Sequence, residues 1–479
     1  MKRFAGLILV FVMLLSALPA LADETRTSGD FQYTLKSNGT ATIVGYTGWG
    51  DIIIPQMLDG YTVTAIGDKA FYCDTLNDSS CTITLPDTIK SIGDFAFWNK
   101  NVRSINLTNT LEYIGKGAFV GCNSITYRIS ADQPTFAVID GALYDKSEKK
   151  LIWGKEGATI PEGIKIIGDY ACYEVPHCGI NEDGIVLPST IEEIGDYAFY
   201  GNGYLIKVPY AKSETKFIKP AAKSKYPHLS KSTPYELKWG SNLQKIGSYA
   251  FANVHINLDD SSPIINSDDS SLILSIPSTV SEIGEGCFSG FLSFSFFSSN
   301  YVTISIPKGS HLRNIPTKAF YNEHCPIICD APIVTIGDYA FYGTYVVNFN
   351  MQNVKTLGKG AFMESTQRAG ITIPTCLKVI PEDAFNNART LGHDIVIPNG
   401  VEVIEANALD VNPTNSKGNV FSLSPIHLPA SLTSIAPDAF RDDAEFIVER
   451  GTYAYRWAEE NARNYSIDGE KQNLDWLNN

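Results

Sequence analysis

The chain has 479 residues, of which 44% are hydrophobic and 19% are charged, so it is long and apolar enough to bury a core. Its 38 basic and 52 acidic residues give a formal net charge of −14. This negative charge argues against a general nucleic-acid binder, which needs a basic face, and against attraction to anionic lipid.

The N-terminus is typical of an export signal. Lys2 and Arg3 precede an apolar stretch over residues 4–18, and Ala20 and Ala22 form a small-x-small cleavage site. We therefore expect cleavage after Ala22 and a secreted or extracellular-surface protein. No later run approaches the ~18 apolar residues of a membrane-spanning helix, so we predict no transmembrane segment.

One short phrase, Ile-Gly-x-x-Ala-Phe, recurs along the chain. The close copies begin at Ile66, Ile92, Ile114, Ile194, Ile246 and Ile336. Looser copies begin at Ile167, Ile283, Ile315, Leu357, Ile380, Ile404 and Ile435. Where nothing interrupts them, the copies lie 21 to 27 residues apart. A period of this length is typical of repeat proteins that stack into solenoids.

A second phrase, a short apolar alternation that ends in Pro, precedes many copies. It begins at Ile83, Ile185, Ile304, Ile371, Ile395 and Ile426. Period-two alternation predicts a strand with one buried face, and Pro ends the strand because it lacks an amide donor. The repeat Gly then permits a bend, and the Asp that often follows is expected to cap a short helical turn. Such a unit is too small to hide its apolar side alone, so the units must stack.

Together the two phrases give Ile-x-Ile-Pro-x-x-Val-x-x-Ile-Gly-x-x-Ala-Phe, which resembles the BspA-like leucine-rich repeat family of secreted and surface proteins. The match covers roughly residues 50–445. The resemblance implies an α/β-type repeat solenoid, a leucine-rich repeat array of short parallel strands with short helical turns. It also implies adhesion to host proteins or other microbes, as in the mostly bacterial members of the family. The alternative fold is a right-handed parallel β-helix.

The two ends of the array carry sequences that we expect to close it. Residues 31–46 predict a hairpin around an Asn-Gly turn. Residues 445–449 predict a last strand, and residues 452–464 predict a short helix before a loose tail. We therefore divide the chain into a signal peptide (1–22), an N-terminal cap (23–64), a solenoid (65–440) and a C-terminal cap with a tail (441–479).

Four insertions interrupt the solenoid, at residues 130–153, 204–241, 255–273 and 288–301. The first contains a hairpin-like phrase. The second is rich in Lys and is either a docking loop for an acidic partner or a solvated loop. The third holds four Asp and is either an ordinary acidic loop or a Ca²⁺ site, although it lacks the usual Ca²⁺-loop spacing. The fourth alternates Phe with Ser and is either an extra strand pair on the core or an exposed contact patch.

No motif in the sequence converges on a catalytic site. The seven His are scattered without zinc spacing, and neither a nucleophile elbow nor a phosphate-binding loop is present. The recurring Asp residues are better explained as caps, because an active site needs only one set of residues while the same Asp recurs in several units. We therefore predict that the protein is not an enzyme and that it uses no cofactor and no metal.

Nine cysteines are an odd number for an exported chain. Three pairs lie close enough in sequence to form disulfides after export. These pairs are Cys73 with Cys81, Cys172 with Cys178, and Cys325 with Cys329. The alternative is a set of buried thiols, because Cys172 and Cys287 stand at core positions of the repeat.

The surface is therefore where the sequence places function. Outward-facing strand residues should form a stripe of short polar side chains, since neighbouring strands lie about 4.8 Å apart. The candidate residues of this sheet face are Thr82, Thr84, Ser104, Asn106, Thr303, Ser305, Thr372, Asp394 and His427. The candidate residues of the Lys-rich docking loop are Lys212, Lys216, Lys219, Lys223, Lys225 and Lys231. A merely solvated sheet would also be polar on its outer face.

These observations predict a secreted or surface-associated leucine-rich repeat protein that binds protein or glycan partners. The partners would belong to a host or to a neighbouring cell, and nucleic acid is not among them. The alternatives are a secreted polysaccharide-active enzyme built on a parallel β-helix and a purely structural envelope protein.

Overall fold

The structure is a computed structural model that divides into two compact units, Met1–Lys155 (unit 1) and Glu156–Asn479 (unit 2), each considered by itself. It describes residues 24–73, 80–175, 178, 180–181, 184–185, 187–202, 206–207, 239–257, 272–294, 302–322, 326–367, 370–390, 394–413 and 422–468.

The described part of unit 1 consists of short strands. They are β1 (Arg26–Ser28), β2 (Phe31–Leu35), β3 (Ala41–Tyr46), β4 (Ile52–Ile53), β5 (Met57–Leu58), β6 (Tyr61–Ile66), β7 (Cys81–Thr84), β8 (Ser91–Ile92), β9 (Val102–Leu107), β10 (Tyr113–Ile114), β11 (Thr126–Ile129), β12 (Phe136–Ile139), β13 (Ala142–Asp145) and β14 (Lys150–Trp153).

The described part of unit 2 has strands and one helix. The strands up to the middle of the unit are β15 (Ile166–Ile167), β16 (Ile180–Asn181), β17 (Gly184–Ile185), β18 (Glu193–Ile194), β19 (Ile206–Lys207), β20 (Lys245–Ile246), β21 (His255–Asn257), β22 (Leu272–Ser275), β23 (Glu282–Ile283), β24 (Leu292–Phe294), β25 (Val302–Ile306), β26 (Asn314–Ile315), β27 (Ile327–Cys329) and β28 (Thr335–Ile336). The remaining elements are β29 (Tyr345–Phe349), β30 (Thr356–Leu357), β31 (Thr366–Gln367), β32 (Ile371–Thr372), β33 (Val379–Ile380), β34 (Arg389–Thr390), β35 (Ile395–Val396), β36 (Val403–Ile404), β37 (Ile426–Leu428), β38 (Ser434–Ile435), β39 (Glu445–Val448), α1 (Tyr453–Glu460) and β40 (Asn464–Ile467).

In unit 1 the two sequence phrases form two separate parallel sheets. The Ile before each repeat Gly ends a strand of the sheet β3-β6-β8-β10, which we name the Ile-Gly sheet. The other parallel sheet is β4-β7-β9-β11, which we name the outer sheet; its strands β4 and β7 lead to Pro55 and Pro86. A parallel solenoid with leucine-rich repeats is therefore confirmed, with two strands in each repeat.

Unit 2 repeats this arrangement with more interruptions. Its Ile-Gly strands form the sheets β15-β18-β20-β23, β26-β28-β30 and β33-β36-β38. Its other parallel sheets are β19-β21-β24, β22-β25-β27-β29-β31-β34, β32-β35 and β37-β39-β40. The repeat Ile residues are buried throughout, as the period-two alternation predicts.

The segments that we predicted as helical turns form a ladder of tight turns instead. The Lys69 amide donates to the carbonyl of Asp94 in the next repeat at 3.0 Å, and the Phe71 amide donates to that of Ala96 at 2.8 Å. Lys69 has a φ of 56°, which a right-handed helix cannot contain. The helical-turn prediction is not confirmed, because alternate amides bond the neighbouring repeat rather than the residue four positions earlier.

The Asp residues that we predicted as helix caps connect neighbouring turns. Asp68 Oδ1 accepts the amide of Asp94 at 2.8 Å, and Asp94 Oδ1 accepts the amide of Lys116 at 3.0 Å. The repeat Gly makes this approach possible, because a Cβ at Gly93 would lie 2.6 Å from the backbone nitrogen of Asp68. The Gly is therefore required by close contact between repeats rather than by the bend that we expected.

The repeat Phe side chains stack along the interior. In unit 2 a continuous series of parallel rings, with centroids 5.1 to 5.7 Å apart, is formed by Phe199, Phe251, Phe288, Phe320, Phe341, Phe362 and Phe385. These rings are at most 3% exposed. Ring stacking adds to the burial of a large apolar area, so this series is a main component of the core.

The terminal elements largely follow the sequence. β2 and β3 form the predicted antiparallel hairpin, and β3 also pairs with β6 of the Ile-Gly sheet. The predicted terminal strand and helix are β39 and α1, and the side chain of Thr452 accepts the Tyr455 amide at the start of the helix. The helix is shorter than predicted, since residues 464–467 form β40 and extend the sheet through β39.

The insertions have different outcomes. Residues 136–153 form the antiparallel strands β12, β13 and β14, as the hairpin-like phrase indicates. Phe288 and Phe291 are buried, which favours core packing over a contact patch in that part of the fourth insertion. Most of the Lys-rich and Asp-rich insertions, together with the signal segment and the end of the tail, lie outside the described residues.

Candidate interaction surface

The outer sheet of unit 1 presents an exposed face with mixed chemistry. Ile53 stands opposite Thr84, and Asn106 stands opposite Arg128, so these side chains share one side of the sheet. Ile53 is 73% exposed, which is unusual for an isoleucine in a strand. We name the exposed side chains Ile53, Thr84, Arg103, Thr126 and Arg128 the unit 1 face.

Arg103 lies at an irregularity of this sheet. Cys81 pairs with Val102 while Thr82 pairs with Ser104, so Arg103 is an extra residue in its strand. Its guanidinium lies 3.4 Å from Thr82 Oγ1 and 3.8 Å from Asp51 Oδ1, and the side chain is 62% exposed. Exposed ion pairs of this kind hold their partners weakly, so Arg103 can exchange Asp51 for another carboxylate.

Two of the predicted residues of unit 1 make hydrogen bonds within the outer sheet. Asn106 Oδ1 accepts the Leu85 amide at 2.7 Å, and its Nδ2 donates to the Leu85 carbonyl at 3.0 Å. The side-chain amide of Asn106 therefore makes the two backbone hydrogen bonds with Leu85 that a neighbouring strand would otherwise make. Ser104 is buried, and its Oγ lies 3.4 Å from Thr82 Oγ1. Ser104 lies on the same side of the sheet as its exposed register partner Thr126, but it is only 5% exposed, so the expectation that it reaches solvent is wrong.

The predicted residues of unit 2 are divided between the interior and the surface. Thr303 is 1% exposed, so its predicted exposure is wrong, although it lies on the same side of β25 as Ser305. Ser305 is half-buried, while Thr372, Asp394 and His427 are exposed. Asp394 also contributes its carbonyl to the amide of Ile371 at 2.9 Å.

A cavity of about 660 Å³ opens beside Thr372 in unit 2. It lies between β29 and β32, which are not hydrogen-bonded to each other among the described residues. Apolar side chains, including Phe349 and Ile371, line it together with the polar side chains of Asn350 and Gln367. Its volume is in the range of ordinary ligand pockets. The sequence motifs do not indicate this cavity, because it depends on how strands of different repeats pair.

Half-buried tyrosines form a second feature of unit 2 on its turn ladder. The rings of Tyr170, Tyr197 and Tyr249 stack with centroid distances of 4.9 and 5.1 Å. Burial raises the pKa of Tyr249 to about 12, and the hydrogen bond that its hydroxyl donates to Glu285 at 3.0 Å acts in the same direction. The stack results from the repetition of Tyr after Gly-Asp or Gly-Ser. Neighbouring rings in it pack face to face.

The described cysteines include both a disulfide and buried thiols, the two alternatives that the sequence leaves open. Cys172 and Cys178 form a disulfide, as one predicted pair requires. Cys122, Cys287 and Cys329 are buried, and burial raises the pKa of the Cys122 and Cys329 thiols to about 12. Cys325, the predicted partner of Cys329, lies outside the described residues.

The predicted docking lysines, Lys212, Lys216, Lys219, Lys223, Lys225 and Lys231, also lie outside the described residues. Where the chain is described again, Trp239 packs edge-on against Phe251 with a centroid distance of 5.3 Å. Trp239 therefore belongs to the core rather than to a docking loop.

Two kinds of feature, a metal-binding cluster and a membrane-spanning helix, are absent from the described residues. They contain no group of three or more His, Cys, Asp or Glu side chains arranged to hold a metal ion. Among these same residues no helix has the length and apolar character needed to cross a membrane.

Known proteins give an independent comparison. Solved structures with similarity include a leucine-rich cell surface protein from Faecalibacterium prausnitzii (18% identity, TM-score 0.35, 95% of this chain and 97% of that chain). They also include leucine-rich repeat proteins from Bacteroides ovatus (17%, 0.34, 92% and 99%) and Eubacterium ventriosum (16%, 0.34, 81% and 94%). No curated protein in the comparison matches the chain.

The family comparison covers most of the repeats. The BspA type leucine-rich repeat region matches residues 52–150, 154–267, 232–297, 267–322 and 291–416. These ranges contain the stacked Phe rings of unit 2 and every Ile-Gly phrase except the one that begins at Ile435. The chain therefore belongs to the BspA type leucine-rich repeat family.

Proposed function

We propose that the protein is a secreted or surface-associated interaction protein that binds a protein or glycan partner without catalysing a reaction. The observation that carries this proposal is the unit 1 face, on which a 73% exposed Ile53 shares one strand-paired surface with Arg103 and Arg128. Exposed apolar side chains beside Arg are typical of the residues that dominate protein interfaces.

The family supports the same proposal. BspA type leucine-rich repeats occur in surface proteins, and a regular solenoid offers a large surface on which outward side chains can vary without disturbing the core. Export would follow from the Lys2-Arg3 segment and the Ala20-x-Ala22 site in the sequence.

The Lys-rich insertion is a second candidate for contact with an acidic partner. Its charge contrasts with the net −14 of the chain, so it would attract polyanions that the rest of the protein repels. A deletion that tests it should remove residues 208–236 only, because Trp239 belongs to the core through its contact with Phe251.

The test measures retention of the full chain on immobilised fibronectin, laminin, collagen and mucin and on a glycan array. We expect retention on at least one of these ligands. Ile53→Ser combined with Arg128→Glu should weaken it by at least about tenfold, the effect of losing one interface anchor. The matched control is Met57→Ser, which changes another exposed apolar residue, 53% exposed, on β5, a strand that pairs with β6 and lies outside the outer sheet.

The outcomes separate the parts of the proposal. No retention on any ligand would contradict an interaction role. Equal retention by the double variant and the control would show that the unit 1 face does not contribute to binding. Loss of retention only in the chain that lacks residues 208–236 would transfer the site to the Lys-rich insertion.

A further inference from the structure

The turn ladder of unit 2 carries two neighbouring columns of tyrosine rings. The first column is the stack of Tyr170, Tyr197 and Tyr249 described above, and the second consists of Tyr173 and Tyr200 with centroids 5.1 Å apart. Stacked rings within each column are parallel to within 19°. We name these five residues the tyrosine cluster, and all five are half-buried, so part of each side chain reaches solvent.

The two columns also contact each other. The ring centroid of Tyr170 lies 5.7 Å from that of Tyr173 within one turn, and the centroid of Tyr197 lies 5.6 Å from that of Tyr200 within the next turn. Each ring of the cluster therefore contacts at least one other ring, either face to face or at a tilt. Rings in such contact can exchange an electron directly, so an oxidised state formed on one phenol can pass to the others.

The backbone of the repeat fixes this arrangement. The Tyr197 amide donates to the carbonyl of Ser248 at 2.8 Å, and the Tyr170 amide makes the equivalent bond to the turn that contains Tyr197. These bonds place the tyrosines of neighbouring turns above one another. Gly286 ends the first column, because a Cβ at this position would overlap Cε1 of Tyr249.

One phenol of the cluster has a proton acceptor in place. The Tyr249 hydroxyl donates to Glu285 Oε1 at 3.0 Å. Loss of one electron makes a phenol strongly acidic, so its oxidation at neutral pH requires that the hydroxyl proton leave as well. A carboxylate within hydrogen-bond distance can take that proton, as a general base does. Tyr249 is therefore a favourable position for the first oxidation.

We propose that the tyrosine cluster is a modification site at which a one-electron oxidant joins stacked tyrosines of neighbouring repeats as dityrosine. A peroxidase supplied with hydrogen peroxide represents this class of oxidant. The site is independent of the unit 1 face and requires no binding partner.

The cross-link forms in two one-electron steps. Each of two stacked phenols loses an electron to the oxidant and its hydroxyl proton to a base, which for Tyr249 is Glu285. The two phenoxyl radicals form one bond between the ring carbons ortho to their oxygens. The hydrogens on those carbons then move to the oxygens and restore both hydroxyl groups. Hydrogen peroxide takes up the two electrons and the two protons and becomes two molecules of water.

The product connects turns that are distant in sequence. Tyr170, Tyr197 and Tyr249 belong to three consecutive Ile-Gly turns, so each dityrosine closes a loop of the chain. A closed loop lowers the entropy of the unfolded state. The cross-linked chain should therefore unfold at a higher urea concentration than the untreated chain.

The probe is photoexcited ruthenium tris-bipyridine with persulfate, a small one-electron oxidant, applied to the full chain in dilute solution. We expect dityrosine fluorescence in the monomeric chain. Digestion after Glu places Tyr170, Tyr197 and Tyr249 on different peptides, since Glu174 and Glu236 lie between them. Mass spectrometry should find the peptide of Tyr197 joined to that of Tyr170 or Tyr249.

Glu285→Gln tests the proton acceptor. Gln keeps a hydrogen-bond acceptor beside Tyr249 but cannot hold the proton. The cross-link between Tyr197 and Tyr249 should therefore form at least about tenfold more slowly, because general-base transfer usually contributes more than this.

A second stacked pair of unit 2 provides an internal reference. The rings of Tyr321 and Tyr342 have centroids 4.7 Å apart, and the Tyr342 hydroxyl donates to Glu364 at 2.7 Å. The same oxidant should cross-link this pair at a rate that Glu285→Gln leaves unchanged.

A further pair of variants separates stacking from exposure. Tyr197→Phe with Tyr200→Phe keeps the stacked rings but removes both phenols of the middle turn, so dityrosine fluorescence should fall. Tyr113→Phe removes a tyrosine that is 55% exposed and stacks on no ring among the described residues, so fluorescence should equal that of the unmodified chain. Circular dichroism of each variant checks that the fold is retained.

Three results would overturn the proposal. They are absence of dityrosine from the treated chain, dityrosine that joins only separate chains, and equal fluorescence from the double Phe variant and the unmodified chain. An unchanged rate in Glu285→Gln would contradict the role of that carboxylate. Ile53→Ser with Arg128→Glu should leave cross-linking unchanged, so failure of the unit 1 face and failure of this site give different results.

Discussion

At the residue scale, the repeat Gly marks the closest contact between neighbouring turns. A Cβ at Gly93 would lie 2.6 Å from Asp68 N and 2.7 Å from the carbonyl carbon of Gly67, and both are backbone atoms that cannot move aside. We expect Gly93→Ala to reduce the free energy of unfolding by about 1–3 kcal/mol, as overpacking does. The measurement is urea unfolding followed by circular dichroism.

The matched control for this substitution is Gly309→Ala. Gly309 has no heavy atom within 4 Å of an added Cβ and does not adopt a positive φ. Its replacement should leave stability within about 0.5 kcal/mol or raise it slightly, because Ala restricts the unfolded chain. Equal unfolding curves for the two variants would contradict the role assigned to the Gly contact.

The thiols should differ in reactivity according to burial. Cys376 is exposed, whereas the Cys122 Sγ–H donates to the carbonyl of Lys100 at 3.0 Å in the interior. We expect iodoacetamide at neutral pH to modify Cys376 in the folded chain and to modify Cys122 and Cys329 only after unfolding. Mass spectrometry of the digested protein identifies the modified sites. Modification of Cys122 in the folded chain at the rate of Cys376 would show that the interior is open.

The same burial has a pH consequence. Because burial raises the pKa of the Cys122 and Cys329 thiols to about 12, the folded chain holds these protons while an unfolded thiol loses them above its ordinary value of 9.0. The stability that these thiols contribute is complete below pH 9 and is lost as the pH rises from 9 toward 12.

At the element scale, the stacked Phe rings connect neighbouring repeats of unit 2 through the core. Phe341 is fully buried between Phe320 and Phe362, with centroid distances of 5.2 and 5.1 Å. We expect Phe341→Ala to cost about 3–5 kcal/mol in unfolding free energy, since it leaves a cavity and interrupts the stack. Thermal or urea unfolding measures the loss. Phe341→Leu should cost clearly less, and equal losses would indicate that the stacking geometry contributes nothing.

The elements also show how far a sequence predicts this fold. The alternation before Pro and the repeated Ile predict the strands well, because burial on one face of a strand directly determines a period of two. The turns are not predicted, since Gly-Asp followed by Ala and Phe is compatible with a helix until the neighbouring repeat is considered. Lys69 adopts a left-handed φ because its amide bonds the next repeat, and such contacts between repeats are invisible in a local pattern.

At the scale of the whole molecule, the repeats predict a family more firmly than a site. Of the outward positions expected from alternation, Thr84 and Thr372 are exposed, but Ser104 and Thr303 are buried. Both buried residues lie on the same side of their sheet as a residue that reaches solvent, so the side of a strand alone does not determine exposure. Ile53 was not predicted because Ile52, Ile53 and Ile54 stand together and hide the alternation.

The contact between Asp and the Gly of the next turn has a consequence for how such proteins change in evolution. Asp68 accepts a hydrogen bond from the backbone of the turn that contains Gly93, and Asp169 accepts the equivalent bond from the turn that contains Gly195. The same Asp contact recurs at Asp94, Asp196 and Asp338, and it uses none of the outward side chains. Whole repeats can therefore be duplicated or lost without a new kind of contact between turns. The exposed positions remain free to diversify toward new partners.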